Sequence, residues 1–299
     1  MRRAEAVERD LRWARRLWSE AAGAAKEEAR RITLDHGDDV LRCAGCASLW
    51  RVHTVPADGC DGRYVEDRYG PEALQHIWSR CTAEYEDDRA WFTAQGLGPG
   101  VAVLEVGSYA GAFLGFAGAL GCNAVGVDVN PEVVAWARGR GVDARLGPLR
   151  RDHWGAERFD QVWVLNCFEQ VPDPDALLAE MRAVLRARGR LVVRTPNAAF
   201  LDLAYRWPIL GLRRSAAANH VFGIPFLRCY TTAGLRQLLA RNGFAVLSTR
   251  ERAFTTVPTT ATLRVAGPRW SAAAGRVTAR LRPDAAAPWI DVVAVRARP

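Results

Sequence analysis

The sequence predicts an α/β chain: a doubly wound, mostly parallel sheet of seven strands, preceded by a helical, cysteine-containing extension over residues 1–95. Three observations predict it. From residue 101 onward, short and nearly continuous apolar runs alternate with helical stretches, as strands covered by helices on both faces require. The first run ends in small residues that lead into a helix, and the second ends in an acidic residue, Asp128. Gly96, Gly98, Pro99 and Gly100 break the chain just before this rhythm begins.

The elements follow in order. Val7, Leu11, Ala14, Leu17, Trp18 and Ala21 recur at three- and four-residue steps, so 1–31 reads as an amphipathic helix that packs by its apolar stripe. Residues 32–70 are short and polar, with Cys43 and Cys46 spaced Cys-x-x-Cys, and 71–95 reads as a second helix. The main domain, 96–299, opens with a Val-rich strand at 101–106 and a helix at 111–120. A strand at 124–127 ends in Asp128, and Pro131 opens a helix over 132–140. Strands at 143–146, 159–165 and 191–194 follow, with a helix at 175–187 before the last of them. After an irregular stretch, a helix at 231–242 is stopped by Gly243, and strands at 244–249 and 289–295 close the sheet as an antiparallel hairpin.

Composition excludes several classes. At 299 residues and 49% hydrophobic, the chain can bury a core and is not expected to be disordered. No apolar window approaches the ~18 residues of a membrane span, and the Arg- and Glu-rich start is not a secretory leader. An odd number of cysteines, seven, thinly spread, argues for reduced thiols in a cytoplasm. The net charge of +8 is carried almost entirely by Arg, Lys26 being the only lysine, which points to composition rather than to a nucleic-acid or membrane partner.

The informative segment is Val103-Leu104-Glu105-Val106-Gly107-Ser108-Tyr109-Ala110-Gly111, followed by Gly126-Val127-Asp128. A strand ending in glycines before a helix lets a ligand approach the backbone, and an acid after the second strand suits a ribose diol. A nicotinamide dinucleotide and S-adenosylmethionine both meet these terms. Charge separates them, because Glu105 would repel a pyrophosphate but favours an ammonium and a sulfonium. Gly107 and Gly111 also miss the Gly-x-Gly-x-x-Gly spacing.

With these residues in view, the chain resembles the class I S-adenosylmethionine-dependent methyltransferases, in their small-molecule branch, over about residues 70–299. Glu105-x-Gly107-x-x-x-Gly111 resembles the family's first motif and Val127-Asp128-x-Asn130-Pro131 its ribose motif. Phe159-Asp160-Gln161-Val162 with Asn166-Cys167-Phe168-Glu169-Gln170 resembles its fourth strand and loop, and Gly189-Arg190-Leu191-Val192-Val193-x-Thr195-Pro196-Asn197 its fifth strand. The resemblance implies a Rossmann-like fold and S-adenosylmethionine as cofactor. It puts Glu105, Gly107 and Gly111 at the methionine end, Asp128 on the ribose, and Asn166 with Phe168 beside the sulfonium. It also implies that residues 199–230 cover the substrate and that a small-molecule acceptor is methylated, at oxygen in preference to carbon.

The chain departs from that pattern in three places. Tyr109 replaces a glycine, so its phenol is expected to contact the cofactor. Gly147-Pro148-Leu149 lacks an acid for the adenine amine, leaving backbone and apolar contacts. Gln170 stands where relatives carry His, which removes one candidate base. Two candidates are left: His220, in the covering stretch, and Glu169, whose simplest reading is an exposed carboxylate leading a helix. Cys43 and Cys46 resemble the second knuckle of a zinc ribbon whose first pair is missing, so a metal-free remnant is expected, although His36, His53 and Cys60 lie nearby in sequence. No Asn-Pro-Pro-Tyr-like or Pro-Cys element follows the fourth strand, which argues against nucleic-acid methylation. Two other readings stay open: a catalytically silent S-adenosylmethionine-binding or partner module, and an NAD(P)-type oxidoreductase. Nothing in the sequence sets the oligomeric state.

Overall fold

A computed structural model describes residues 40–51, 69–200, 202, 227–252, 287 and 289–297. The expected helix at 1–31, the side chains of His36, His53, Cys60 and His220, and residues 203–226 of the covering stretch lie outside the described residues. Strands β1 (Val40–Arg42) and β2 (Leu49–Arg51) form a hairpin around the two cysteines. Helix α1 (Pro71–Asp87) and helix α2 (Arg89–Ala94) occupy the stretch expected as one helix. The break is at Asp88, whose backbone leaves helical geometry and whose carboxylate is taken by Arg250 of a distant strand. Then come β3 (Ala102–Val106), α3 (Ala112–Ala119), β4 (Asn123–Asp128), α4 (Pro131–Gly139), β5 (Asp143–Leu146) and β6 (Phe159–Leu165). Helix α5 (Pro174–Val184), β7 (Leu185–Pro196), β8 (Arg228–Cys229), α6 (Thr232–Arg241), β9 (Phe244–Arg252) and β10 (Trp289–Arg296) complete the order.

The main sheet has seven strands in the order β5-β4-β3-β6-β7-β10-β9. The five strands from β5 to β7 run parallel, while β10 lies antiparallel between β7 and β9. The doubly wound sheet and its closing antiparallel pair are therefore as expected. Differences fall at element ends. Helix α5 stops at Val184 rather than 187, because β7 begins pairing at Leu185 opposite Phe159. Strand β7 is correspondingly long, and Arg188 with a left-handed φ of 64° kinks it before regular pairing resumes at Arg190.

Local chemistry explains several ends. Asn130 caps α4 by accepting from the N–H of Glu132 and Val133, with Pro131 in its first turn. Asp173 and Thr231 cap α5 and α6 in the same way. One apolar layer fills one face of the sheet with Leu104, Val162, Val164, Phe168, Leu178, Met181, Val193 and Ile290. The other face is aromatic: Tyr85 and Phe92 of the first two helices meet Phe113, Phe116 and Trp163 in edge-on and tilted contacts. Helices α1 and α2 thus share the core of the main sheet, although they precede the break at Gly96.

Candidate active site

The C-terminal ends of β3, β4, β6 and β7 converge on one crevice, where ligands bind in sheets of this topology. The loop after β3 is held by the end of β4. The N–H groups of Gly107 and Ser108 both donate to the Val127 carbonyl, at 2.9 and 3.0 Å. The Tyr109 N–H donates to Asp128 Oδ2 at 2.8 Å, and the Asn130 N–H donates to Asp128 Oδ1 at 2.9 Å. Gly107 and Gly111 both have left-handed φ, 72° and 78°. A Cβ at Gly107 would collide with the Cys167 side chain, and one at Gly111 would press on Ala137 of α4 at 2.9 Å. Tyr109 also adopts a left-handed φ, 45°, and its ring meets the edge of Tyr69 at 5.2 Å.

Three carboxyl groups line this end. Glu105, at the tip of β3, is 3% exposed, and its Oε2 has no hydrogen-bond partner among the described residues. Burial, reinforced by the Asp128 carboxylate, pushes the Glu105 carboxyl well above its ordinary pKa. Burial also raises Asp128, against the N–H donors of Asn130, Tyr109 and Val129 that hold it down. Glu169 is 2% exposed, not the solvated carboxylate expected from sequence. It sits in a single 3₁₀ turn, Phe168–Gln170, just after β6, where the chain folds inward rather than leading a helix. Burial pushes its carboxyl up to about 7, partly offset by its own N–H and by the Thr195 hydroxyl, which donates to Oε2 at 3.3 Å. Cys167 lies among all three: burial and then Glu169, Asp128 and Glu105 raise its thiol, which donates to the Val106 carbonyl at 3.2 Å.

The structure therefore brings Glu105, Gly107, Tyr109, Gly111, Asp128, Asn166 and Glu169 around the ends of adjacent strands. Asn166 is exposed with a left-handed φ of 59°. Phe168 is different: its ring is fully buried in the core, 5.5 Å from Tyr230, beneath the crevice rather than in it. Sequence reasoning missed Thr195 and Cys167 as neighbours of Glu169. Thr195 was findable as the hydroxyl residue two positions past the Val-rich run of β7, at the crevice end of the sheet.

The electrostatics decide which ligand suits the crevice. The successive N–H groups at 107, 108 and 109 are already bonded to Val127 and Asp128, so they are not free for a pyrophosphate. A buried carboxyl oxygen without a partner, with a second carboxylate beside it, fits a ligand carrying positive charge and hydroxyl donors. S-adenosylmethionine has both, and these residues fit it.

Comparison with known proteins agrees. Residues 67–249 match a family model described as a methyltransferase domain. The chain is 29% identical over 140 residues to the ubiquinone biosynthesis O-methyltransferase of Xanthomonas euvesicatoria pv. vesicatoria (strain 85-10), covering 44% of this chain and 55% of that protein. It is 30% identical over 141 residues to the protein of the same name from Xanthomonas axonopodis pv. citri (strain 306), with the same coverage. The chain spans about half the length of these curated relatives. Among solved structures, the phosphoethanolamine N-methyltransferase 2 of Haemonchus contortus, in complex with S-adenosyl-L-methionine, superposes with a TM-score of 0.53 at 13% identity. That match covers 84% of this chain and 62% of the other, and it speaks for the fold alone. With the family model matched over more than half of its residues and the sheet order established, the chain belongs to the methyltransferase-domain family and has the class I fold of S-adenosylmethionine-dependent methyltransferases.

Proposed function

We propose that this protein transfers the methyl group of S-adenosylmethionine to a hydroxyl of a small or medium organic acceptor, with Glu169 taking the proton. The observation that carries this reading is the buried Glu169 carboxyl at the end of β6, raised to about 7 and held by Thr195. A base with a pKa near working pH is matched to deprotonating a hydroxyl. The names of the Xanthomonas relatives, O-methyltransferases, support oxygen as the acceptor atom.

Glu105 would face the methionine ammonium, Asp128 the ribose hydroxyls, and Asn166 the sulfonium side, with Phe168 supporting the loop from below. When bound, S-adenosylmethionine supplies an already activated methyl group. The protein then has to align the acceptor oxygen with it, about 3 Å away, and accept one proton. Glu169 holds that proton on its carboxyl, and the Thr195 hydroxyl steadies the ionised form. Tyr109 shields one side of the crevice, its backbone fixed by Asp128. Residues 199–230 cover the acceptor, and His220 within them is a second proton acceptor in this reading.

The test pairs two measurements on the full chain. Calorimetric titration with S-adenosylhomocysteine measures competence of the cofactor crevice, and methyl-labelled S-adenosylmethionine with a panel of phenols, alcohols and amines reads transfer. Saturable binding with label appearing on a hydroxyl supports the reading. Saturable binding with no transfer to any acceptor supports a silent binding module, and binding of NADH in place of S-adenosylhomocysteine overturns the proposal.

A further inference from the structure

The Cys43–Cys46 hairpin is not used by the chemistry above, and its geometry has a character of its own. The Cys43 N–H donates to the Ser48 carbonyl at 2.8 Å, and the Ala47 N–H donates to the Cys43 carbonyl at 3.0 Å, folding residues 43–48 into a tight turn between β1 and β2. Ala47 accepts a left-handed φ of 58° to close it. In this turn Cys43 and Cys46 stand three residues apart on one tight loop, and Cys43 Sγ lies beside Gly45, 3.9 Å from where a Cβ there would stand. The Cys46 thiol also donates to Ser48 Oγ at 3.3 Å. Ser48 in turn accepts from the Thr231 N–H at 3.1 Å, and the Thr231 hydroxyl donates to the Cys46 carbonyl at 2.6 Å. Thr231 is the cap of α6, so the turn that carries both cysteines is docked on the main domain.

We propose that Cys43 and Cys46 are a redox-active dithiol that closes reversibly to an intramolecular disulfide by exchange with a low-molecular-weight disulfide. Cys43 is the attacking sulfur. Its thiolate displaces one sulfur of R–S–S–R, forming Cys43–S–S–R and releasing RS⁻. The Cys46 thiol gives its proton to solvent and attacks Cys43 Sγ, forming the Cys43–Cys46 bond and releasing a second RS⁻. The protein dithiol loses two electrons, and the small disulfide gains them as two thiols.

Backbone donors around a thiol favour its thiolate, and the Cys43 thiol is lowered from its ordinary pKa by the backbone of Cys46 and Gly45 and by the Cys46 side chain. The contrast within the chain is sharp: burial raises Cys81 to about 11 and raises Cys122, Cys167 and Cys229 as well. Cys43 and Cys46 are both part-exposed, so a small disulfide can reach them.

The full-length chain, incubated with glutathione at graded oxidised-to-reduced ratios, acid-quenched, alkylated and mapped by peptide mass spectrometry, tests this. Bound zinc is measured on the same samples. The expected result is loss of two hydrogens and of both alkylation sites at Cys43 and Cys46 together, restored by dithiothreitol. Under limiting alkylating agent Cys43 reacts roughly tenfold faster than Cys81 or Cys167. In Cys43→Ser, Cys46 gives at most a glutathione adduct and no loss of two hydrogens. If that variant fails to fold, the mapping of the unaltered chain stands alone. Free thiols at both positions at every ratio, a stable glutathione adduct at Cys43 without closure, or stoichiometric zinc that blocks both thiols until chelation would each overturn the proposal.

Discussion

Buried charge is handled in opposite ways on the two sides of strand β7. On one side Arg194, 1% exposed, donates to both oxygens of Asp291, also 1% exposed, at 2.6 and 3.2 Å. Arg250 bonds Asp88 and the same Asp291, and Arg252 bonds Glu84 at 2.6 Å. Three arginines meet three carboxylates, and the cluster ties α1 to β7, β9 and β10. Burial opposes ionisation of Asp291, but Arg194 and then Arg250 hold its carboxyl below the ordinary range. On the other side, Glu105, Asp128 and Glu169 gather with no cationic side chain paired to them among the described residues, and all three are raised. The difference teaches how to tell a strut from a site. Matched opposite charges are structure, whereas buried like charges left unmatched are sustained by the rest of the fold and await a ligand of opposite sign.

The comparison can be broken at its strongest point first. Arg194→Met leaves Asp291 buried beside a partial cluster and is expected to lower unfolding stability by about 3–5 kcal/mol, read from urea denaturation. Adding Asp291→Leu to that variant should recover much of the loss; if the double variant is as unstable as the single one, the cluster is not behaving as a matched pair. On the crevice side, Glu169→Gln is expected to slow methyl transfer by about 10²-fold or more while S-adenosylhomocysteine still binds.

The two sides also predict opposite pH responses. The pKa of Asp291 is depressed on folding, so its contribution is present above the ordinary carboxyl range and disappears as pH falls through the depressed value. That of Glu169 is raised, so stability falls as pH climbs from the ordinary value of 4.5 through about 7, and Glu169→Gln should flatten that part of the profile. Denaturation midpoints at pH 5 and pH 8 read the Glu169 response, and a descent below about pH 4 reads that of Asp291. Next in size, Asp128→Ala removes a carboxylate that braces the loop and, in the proposed complex, would face the ribose. It should weaken S-adenosylhomocysteine binding by about 1.5–3 kcal/mol by calorimetry, with a smaller effect on folding. The smallest effect is expected of Tyr109→Gly. It relieves a left-handed residue worth about 1 kcal/mol but gives up the Tyr69 contact, so stability should move by less than about 1 kcal/mol in thermal melts.

Much of this architecture was legible in advance because it is written in local patterns. Apolar runs of the right length placed β3, β4, β5 and β6 within a residue or so, and Pro131 with Asn130 marked the start of α4. Glu105, Gly107, Gly111 and Asp128 could be placed at one end of the sheet because a strand, a tight turn and the next strand end carry their geometry within a short stretch of chain. Asp88 was missed as a helix break because the arginine that claims it is 162 positions away. Glu169 was misread as solvated for a similar reason. Its burial is completed by Thr195 and by Leu227, whose N–H donates to the Glu169 carbonyl at 2.9 Å, and neither is a neighbour in sequence.

The sequence by itself determined the order of strands and helices, the turn after β3 and the sign of the charge at its tip, since periodicity, glycine and an acidic side chain act over a few residues. Only the tertiary structure decided which carboxylates are neutralised and which are left raised. Protonation in the interior depends on what surrounds a group in space, and here the bonds that neutralise the buried cluster join residues between 41 and 168 positions apart.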